Sequence, residues 1–413
     1  MIAFLEKINS YVWGSGLIFL LMTTGIIYTV KLKFIQFRII PFFRKNPPDR
    51  KQFRTVCMAL GTTMRTGNIT GVTSAIAIGG AGAVFWMWVS AFFGMALVYA
   101  ENTLSMTYST DDIKGTMAYL CKGLGSKELA VIFAVFCVFA CIGMGGMVQV
   151  NTFSGSLETL RINKYVIALS AFVLIYLVTS GGAERIGKTA QLLLPVVSVA
   201  YMAVCITVLV VFRKNIPDAL GEIFGQAFGL RQFAGGISGY TLSRTVSTGI
   251  RRGIFSNEAG LGSSPILHSS AENTSPEVQS MWSMSEVFFD TMICCTLTAL
   301  TVICATEDFS VQTAFSFVAG EFSVPFLAVS MAIFAFCTVI GWYYCGETAF
   351  SYLSGGRYKK LFCIIFSVLA SSGAVLTMKT VWTLSDIFNG LMAFPNLVGL
   401  VLLMNKVKIK VNK

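Results

Sequence analysis

Apolar residues run along this chain in long unbroken stretches, separated by short polar connections. The stretches cover roughly 13–30, 54–78, 83–108, 128–152, 164–180, 190–212, 239–267, 278–304, 325–353, 361–378 and 380–405. At about 1.5 Å of rise per helical residue, runs of this length match a hydrocarbon core about 30 Å thick. They predict eleven membrane-spanning helices. Continuous rather than alternating apolar runs disfavour an outer-membrane barrel. Segment 305–320 carries Glu307 and Asp308 among apolar residues and predicts a short amphipathic helix at a membrane face. No polar stretch is long enough for a soluble domain.

Two of the stretches are interrupted. The second contains Arg65-Thr66-Gly67-Asn68-Ile69-Thr70-Gly71, and the seventh contains Arg252-Gly-Ile-Phe-Ser-Asn-Glu-Ala-Gly-Leu-Gly-Ser-Ser-Pro265. Glycine and asparagine weaken a helix and tolerate unusual backbone angles. Unpaired backbone at membrane depth is tolerated only where it lines a cavity or is buried in protein. Broken helices in matching places of two halves are the best sequence pointer to a transporter site. The places do match. Gly67 and Asn257 are 190 residues apart, Gln149 and Thr338 are 189 apart, and Glu101 and Asp290 are 189 apart. The expected organisation is therefore a leading helix with a basic cytoplasmic loop (1–53) and a first five-helix repeat (54–212). An extracellular connection (213–238) and a second five-helix repeat with a cytoplasmic tail (239–413) follow. An odd number of spans per repeat makes the two repeats inverted in the membrane.

Composition agrees. The 413 residues are 55% hydrophobic and 12% charged, against roughly 25% charged in soluble chains. So few charges cannot cover a water-exposed surface. A soluble enzyme, a coiled coil, a disordered chain and a nucleic-acid binder are excluded. The net charge of +11 is topological information. Twenty of the 31 Lys and Arg fall in one alternate set of connections, eight of them between Lys31 and Arg54, and seven in the other set. By the positive-inside rule the N-terminus is outside and the C-terminus cytoplasmic, in a multi-pass protein of the cell membrane. The eleven cysteines form no C-x-x-C, and the single histidine, His268, is expected to be packed or hydrogen-bonded. The chain lacks H-E-x-x-H and G-x-S-x-G, so an intramembrane enzyme is disfavoured. A channel is disfavoured by the two non-identical breaks, because filters are repeated by symmetry.

Helix ends assign roles. The N-terminal end of a half-helix, with free N–H groups and partial positive charge, suits a carboxylate. The C-terminal end and unwound carbonyls suit Na⁺ or an ammonium group. One broken helix therefore suits a zwitterionic amino acid, and the small residues around Gly67 and Gly260 leave room only for a short side chain.

At these residues the sequence resembles the alanine/glycine:cation symporter family. The motifs are Thr66-Gly-Asn-Ile-Thr-Gly-Val72 with Ala77-Ile-Gly-Gly80 and Ala83-Val-Phe-Trp-Met-Trp-Val-Ser90; Tyr99-Ala-Glu101; Gly145-Gly-Met-Val-Gln149; Arg252-Gly-Ile-Phe-Ser-Asn-Glu-Ala-Gly-Leu-Gly-Ser263 with Pro265-Ile-Leu-His268; and Gly341-Trp342. They span nearly the whole chain. The resemblance implies an all-α polytopic membrane protein of eleven transmembrane helices. One leading helix would precede a 5+5 inverted-repeat, leucine-transporter-like core. It implies import of alanine or glycine with a monovalent cation, Na⁺ first, by alternating access, with no other cofactor. The partners are then a small neutral amino acid, Na⁺ or H⁺ and the bilayer, with no nucleic acid and no obligate protein partner. Carried over by motif, Thr66, Gly67 and Asn68 contact substrate from the first break. Phe255, Ser256 and Asn257 do so from the second, and Gln149, Thr338 and Trp342 close the pocket. Thr63, Arg65 and Thr338 are the candidate ion-coupling residues.

Arg65 departs from the pattern, because the family usually has a small residue there. Three readings are open. Its guanidinium stands where a coupling cation would, making transport Na⁺-independent, proton-coupled or exchange-driven; it binds the substrate carboxylate; or it snorkels toward the cytoplasm or pairs with a carboxylate on a neighbouring helix. Glu101, Glu258, Glu286, Asp290 and Glu347 are the embedded carboxylates, and intramembrane ionisable groups are functional candidates.

Overall fold

Helices form wherever the apolar runs are uninterrupted, because in a medium without water each backbone N–H and C=O must be paired within its own segment. A computed structural model describes residues 2–229, 238–271, 274–376 and 379–408. The helices are α1 (Ile2–Val12), α2 (Ser15–Lys31), α3 (Ile39–Lys45), α4 (Arg50–Thr63), α5 (Thr70–Gly79), α6 (Ala83–Tyr108), α7 (Thr116–Ala118), α8 (Lys127–Ala140), α9 (Val148–Glu158) and α10 (Lys164–Thr179). They continue with α11 (Gly182–Val211), α12 (Ile216–Ala227), α13 (Ser238–Asn257), α14 (Ser264–His268), α15 (Pro276–Val287), α16 (Thr296–Ala305), α17 (Val311–Ala319), α18 (Ser323–Ser354), α19 (Lys359–Ser372) and α20 (Lys379–Leu402). No strand occurs among the described residues. Seven helical stretches among them are long and apolar enough to cross a membrane.

All eleven predicted segments are helical over most of their length. Four fall short of an unbroken span for physical reasons: two are the broken ones, and α10 and α19 are short. The first segment begins earlier than predicted. Helix α1 precedes it and meets α2 at Trp13–Gly14. Segment 305–320 contains α17, started by Ser310, whose Oγ accepts from Thr313 N at 3.3 Å. The connection 213–238 is more than a loop. Its α12 lies against α6, α13 and α16, and Trp86 Nε1 donates to the Ala227 carbonyl at 3.0 Å. Phe85 also packs on Phe224 and Phe228, so part of the 85–88 aromatic run holds this helix down. Residues 230–237 of the connection and the tail beyond 408 lie outside the described residues.

Contacts between the halves are reciprocal. Helix α13 packs on α6, and α4 on α15; α20 packs on α8, and α11 on α18; α10 and α19 pack on each other. Large apolar side chains of α10 and α11, among them Leu169, Leu174, Leu192 and Val196, are exposed. Such a continuous apolar surface is stable against lipid and not against water.

Two long helices carry a wider turn, at Cys141–Met147 between α8 and α9 and at Phe288–Cys295 between α15 and α16. Insertions of this kind often mark functional sites. The first is rich in glycine because α18 comes very close. A Cβ on Gly145 would collide with Cβ and Cγ of Trp342. Gly145→Val therefore destabilises the protein by about 1–3 kcal/mol through overpacking. A lowered melting temperature checks this, against Gly155→Val, which meets open space, as the control.

Candidate functional site

Both interrupted helices break where the sequence places the weak residues. Helix α4 ends at Thr63, Arg65 is extended, Thr66–Asn68 form a single tight turn, and α5 begins at Thr70. The Asn68 side chain accepts from Arg65 N at 3.1 Å, which satisfies one N–H of the break. Helix α13 ends at Asn257, whose Oδ1 accepts from Ala259 N at 3.1 Å. Glu258 and Gly260 then take left-handed backbone conformations, at φ 55° and 83°. Gly260 has no room for a Cβ, because Leu21 occupies the space.

The two breaks are tied together by charge. Arg65 and Glu258 are both 1% exposed, with Arg65 Nη1 3.1 Å from Glu258 Oε1. Arg65 Nη2 donates to the Phe255 carbonyl, and its guanidinium lies over the Phe255 ring at 4.4 Å. Glu258 is held from its other side by Ser263 Oγ at 2.7 Å and by Trp342 Nε1 at 3.2 Å. Both oxygens of the buried Glu258 are thus met, as a buried ion pair requires of its acceptors.

A second knot lies at Asp290. Its Oδ1 accepts from Asn68 Nδ2 at 2.6 Å, and its Oδ2 from Ser256 Oγ and Thr291 Oγ1, both at 2.8 Å. One carboxylate in the wide turn after α15 thus grips both breaks. Asn257 reaches Thr291 Oγ1 at 3.3 Å.

A cavity of about 240 Å³ opens beside the first break. Thr66, Gly67, Gln149 and Phe255 line it, together with Arg65 and Arg252. Thr66 Oγ1 donates to Gln149 Oε1 at 3.3 Å. A neighbouring cavity of about 280 Å³ shares Arg252, Phe255 and Trp382, and its far wall holds Trp13 and Asp386. The second cavity also reaches Ile78, near the end of α5.

The predicted site residues divide into three groups. Thr66, Gly67, Gln149 and Phe255 face the cavity. Asn68, Ser256 and Asn257 are buried at the Asp290 knot. Thr338 and Trp342 lie behind, on α18: Thr338 Oγ1 reaches the Gly61 carbonyl at 2.9 Å, and Trp342 meets Glu258. Thr63 is buried at the end of α4 and donates to the Leu60 carbonyl at 3.3 Å. Of the three readings of Arg65, the pairing with a carboxylate is observed, and the partner is Glu258.

Arg251 and Arg252 line the neighbouring cavity together with Asp386. Sequence reading missed Asp386 and Trp382. An acid inside the last apolar run was the available signal. Two of the other embedded carboxylates have side-chain partners. Glu101 accepts from Asn396, which also donates to the Gly260 carbonyl at 2.9 Å. Glu286 meets His268, which is buried and hydrogen-bonded as expected.

The sequence profile of the sodium:alanine symporter family matches residues 1–413. This chain belongs to that family. The symporter is 36% identical to the "Sodium/alanine symporter AgcS" of Methanococcus maripaludis, over 97% of this chain and 94% of that one. It is 34% identical to a Bacillus subtilis protein named "Probable sodium/glutamine symporter GlnT", over 96% of this chain and 87% of that one. It is also 37% identical to an uncharacterised transporter of Haemophilus influenzae, over 96% and 92%. The symporter is thus a cation-coupled amino-acid transporter of the membrane, not an enzyme.

Proposed function

We propose that this symporter imports a small neutral amino acid, alanine or glycine, together with Na⁺. The observation that carries the reading is the 240 Å³ cavity walled by the first break and Gln149 on one side and Phe255 on the other. Its size suits a short side chain, and the first N–H groups of the Thr66 turn have no partner within that turn. Those N–H groups suit the carboxylate. The Na⁺ is held at the opposite end of the break, where the last carbonyls of α4 carry partial negative charge. Gly61 O, Thr63 and Thr338 supply its oxygen ligands, with Thr338 giving up its present bond to Gly61. The chain crosses the membrane eleven times, N-terminus outside, as a leading helix and two inverted five-helix repeats. The reciprocal packing of the two halves supports this. Alternating access then swings one helix bundle against the other around the breaks. Coupling arises because Na⁺ and substrate together favour a state that neither favours alone.

A second reading rests on Arg65. Its guanidinium takes a carboxylate, Glu258, and the carbonyl of Phe255 near the end of α13. These are acceptors of the kind a free cation would use. A tethered cation there makes uptake Na⁺-independent, driven by protons or exchange. Radiolabelled alanine and glycine uptake into proteoliposomes, under inward Na⁺, choline or pH gradients, decides between them. A Na⁺ gradient is expected to drive uptake and choline to fail. Equal uptake in both would establish the second reading, and no uptake under any gradient would defeat both.

A further inference from the structure

The guanidinium of Arg65 is only partly used. Nη2 donates to the Phe255 carbonyl, and Nη1 stands against Glu258 Oε1 at 3.1 Å. Its Nε has no partner and its Nη1 none beyond that ion pair, although the side chain is 1% exposed. A buried donor left empty costs roughly 1–3 kcal/mol, so a chain does not keep one without a compensating contact. The position of this donor is informative. Arg65 lines the transport cavity with Thr66 and Gly67. A Cβ built on Gly67 would lie 3.6 Å from Arg65 Nε, in ordinary contact. The empty N–H therefore borders the space left by the missing side chain of Gly67, at the start of the turn, before Asn68 N, which is already bonded to the Arg65 carbonyl at 3.0 Å.

We propose that Arg65 is a substrate-binding residue, with its Nε–H reserved for the α-carboxylate of the transported amino acid. This rests on the transport reading above and names how its site recognises the carboxylate. Two features of the pair support the assignment. Glu258, Ser263 and Trp342 form a fixed chain behind the guanidinium, so its plane is held before substrate arrives. The net charge of the pair is zero, so the empty cavity carries no unpaired charge at this point. A carboxylate approaching Gly67 meets the Nε–H and the first backbone N–H groups of the turn, those of Thr66 and Gly67, a charge-assisted set of donors. The other charged residue lining the cavity is Arg252, which also lines the neighbouring cavity with Asp386. The Asp290 carboxylate, outside the cavity lining, is saturated by Asn68, Ser256 and Thr291.

The test is equilibrium binding of radiolabelled alanine to the purified full-length protein, with alanine and alaninamide as competitors. The amide keeps the amine and the methyl group and lacks only the anionic carboxylate. The parent is expected to prefer alanine strongly. Removing Arg65 alone would strand Glu258, so the informative variant is the double Arg65→Met/Glu258→Gln, with Arg65→Lys beside it. The double variant is expected to bind alanine about 10- to 100-fold more weakly, the worth of one hydrogen bond to a charged group. Its binding of alaninamide should hardly change, so the discrimination collapses. Arg65→Lys, which cannot grip Glu258 and present a separate Nε–H, falls between. A double variant that keeps both the affinity and the discrimination of the parent overturns the proposal. If neither variant folds, isotope-labelled arginine in the parent decides. An Nε–H resonance should shift on adding alanine and not alaninamide, and no shift overturns the proposal. Failure of the parent to take up or bind alanine at all would instead count against the transport reading.

Discussion

Replacing Glu258 by alanine destabilises this symporter by about 3–5 kcal/mol and abolishes uptake. The variant leaves the Arg65 guanidinium buried without its counter-ion, and it strips Trp342 Nε1 and Ser263 Oγ of their acceptor. Removing one member of a buried pair costs far more than removing both, since the stranded charge dominates. Arg65→Met/Glu258→Gln therefore melts much closer to the parent than Glu258→Ala does. Thermal melting of the purified protein in one detergent, read by tryptophan fluorescence, gives the order. If the single and double variants melt together, the pair does not link the breaks.

Asp290→Ala is expected to be nearly as severe, by a different route. Asn68, Ser256 and Thr291 each lose their acceptor at a fully buried site. Each orphaned donor costs about 1–3 kcal/mol. More important for transport, the two broken helices lose the group that fixes their mutual position, and uptake falls below detection. Asp290→Asn is milder. Its remaining oxygen still accepts from Asn68, and the hydroxyls of Ser256 and Thr291 can turn to accept from its amide. The expected melting order is parent, then Asn, then Ala. An Ala variant that melts and transports like the parent would show that the knot has no role.

The helices themselves were legible in the sequence. A run such as 83–108 is predominantly apolar and becomes α6 at the same residues. The breaks were legible too, since Gly67, Asn68, Gly260 and Gly262 stand inside otherwise apolar runs. So was the membership of Thr66, Gly67, Gln149 and Phe255 in one cavity, through the broken-helix logic and the family motifs. The partner of Arg65 was not. Five embedded carboxylates were singled out, and the choice of Glu258 depends on a left-handed turn at that residue that aims its side chain at the first break. Asp290 was visible as an offset landmark, but its grip on Asn68 and Ser256 comes from the wide turn that rotates it inward.

What the sequence alone determined is the one-dimensional part: where each helix runs, where two of them break, and that the surface faces lipid. These follow from the local cost of exposing backbone or apolar side chains to the wrong medium, and each residue carries that cost wherever it ends up. The tertiary structure decided which polar groups meet. Arg65 with Glu258 and Asp290 with Asn68 and Ser256 are each set by the approach and rotation of distant helices, as is the gathering of Arg251, Arg252 and Asp386 around one cavity. Those depend on how whole surfaces interlock, as at Gly145 against Trp342, and no local stretch of sequence records them.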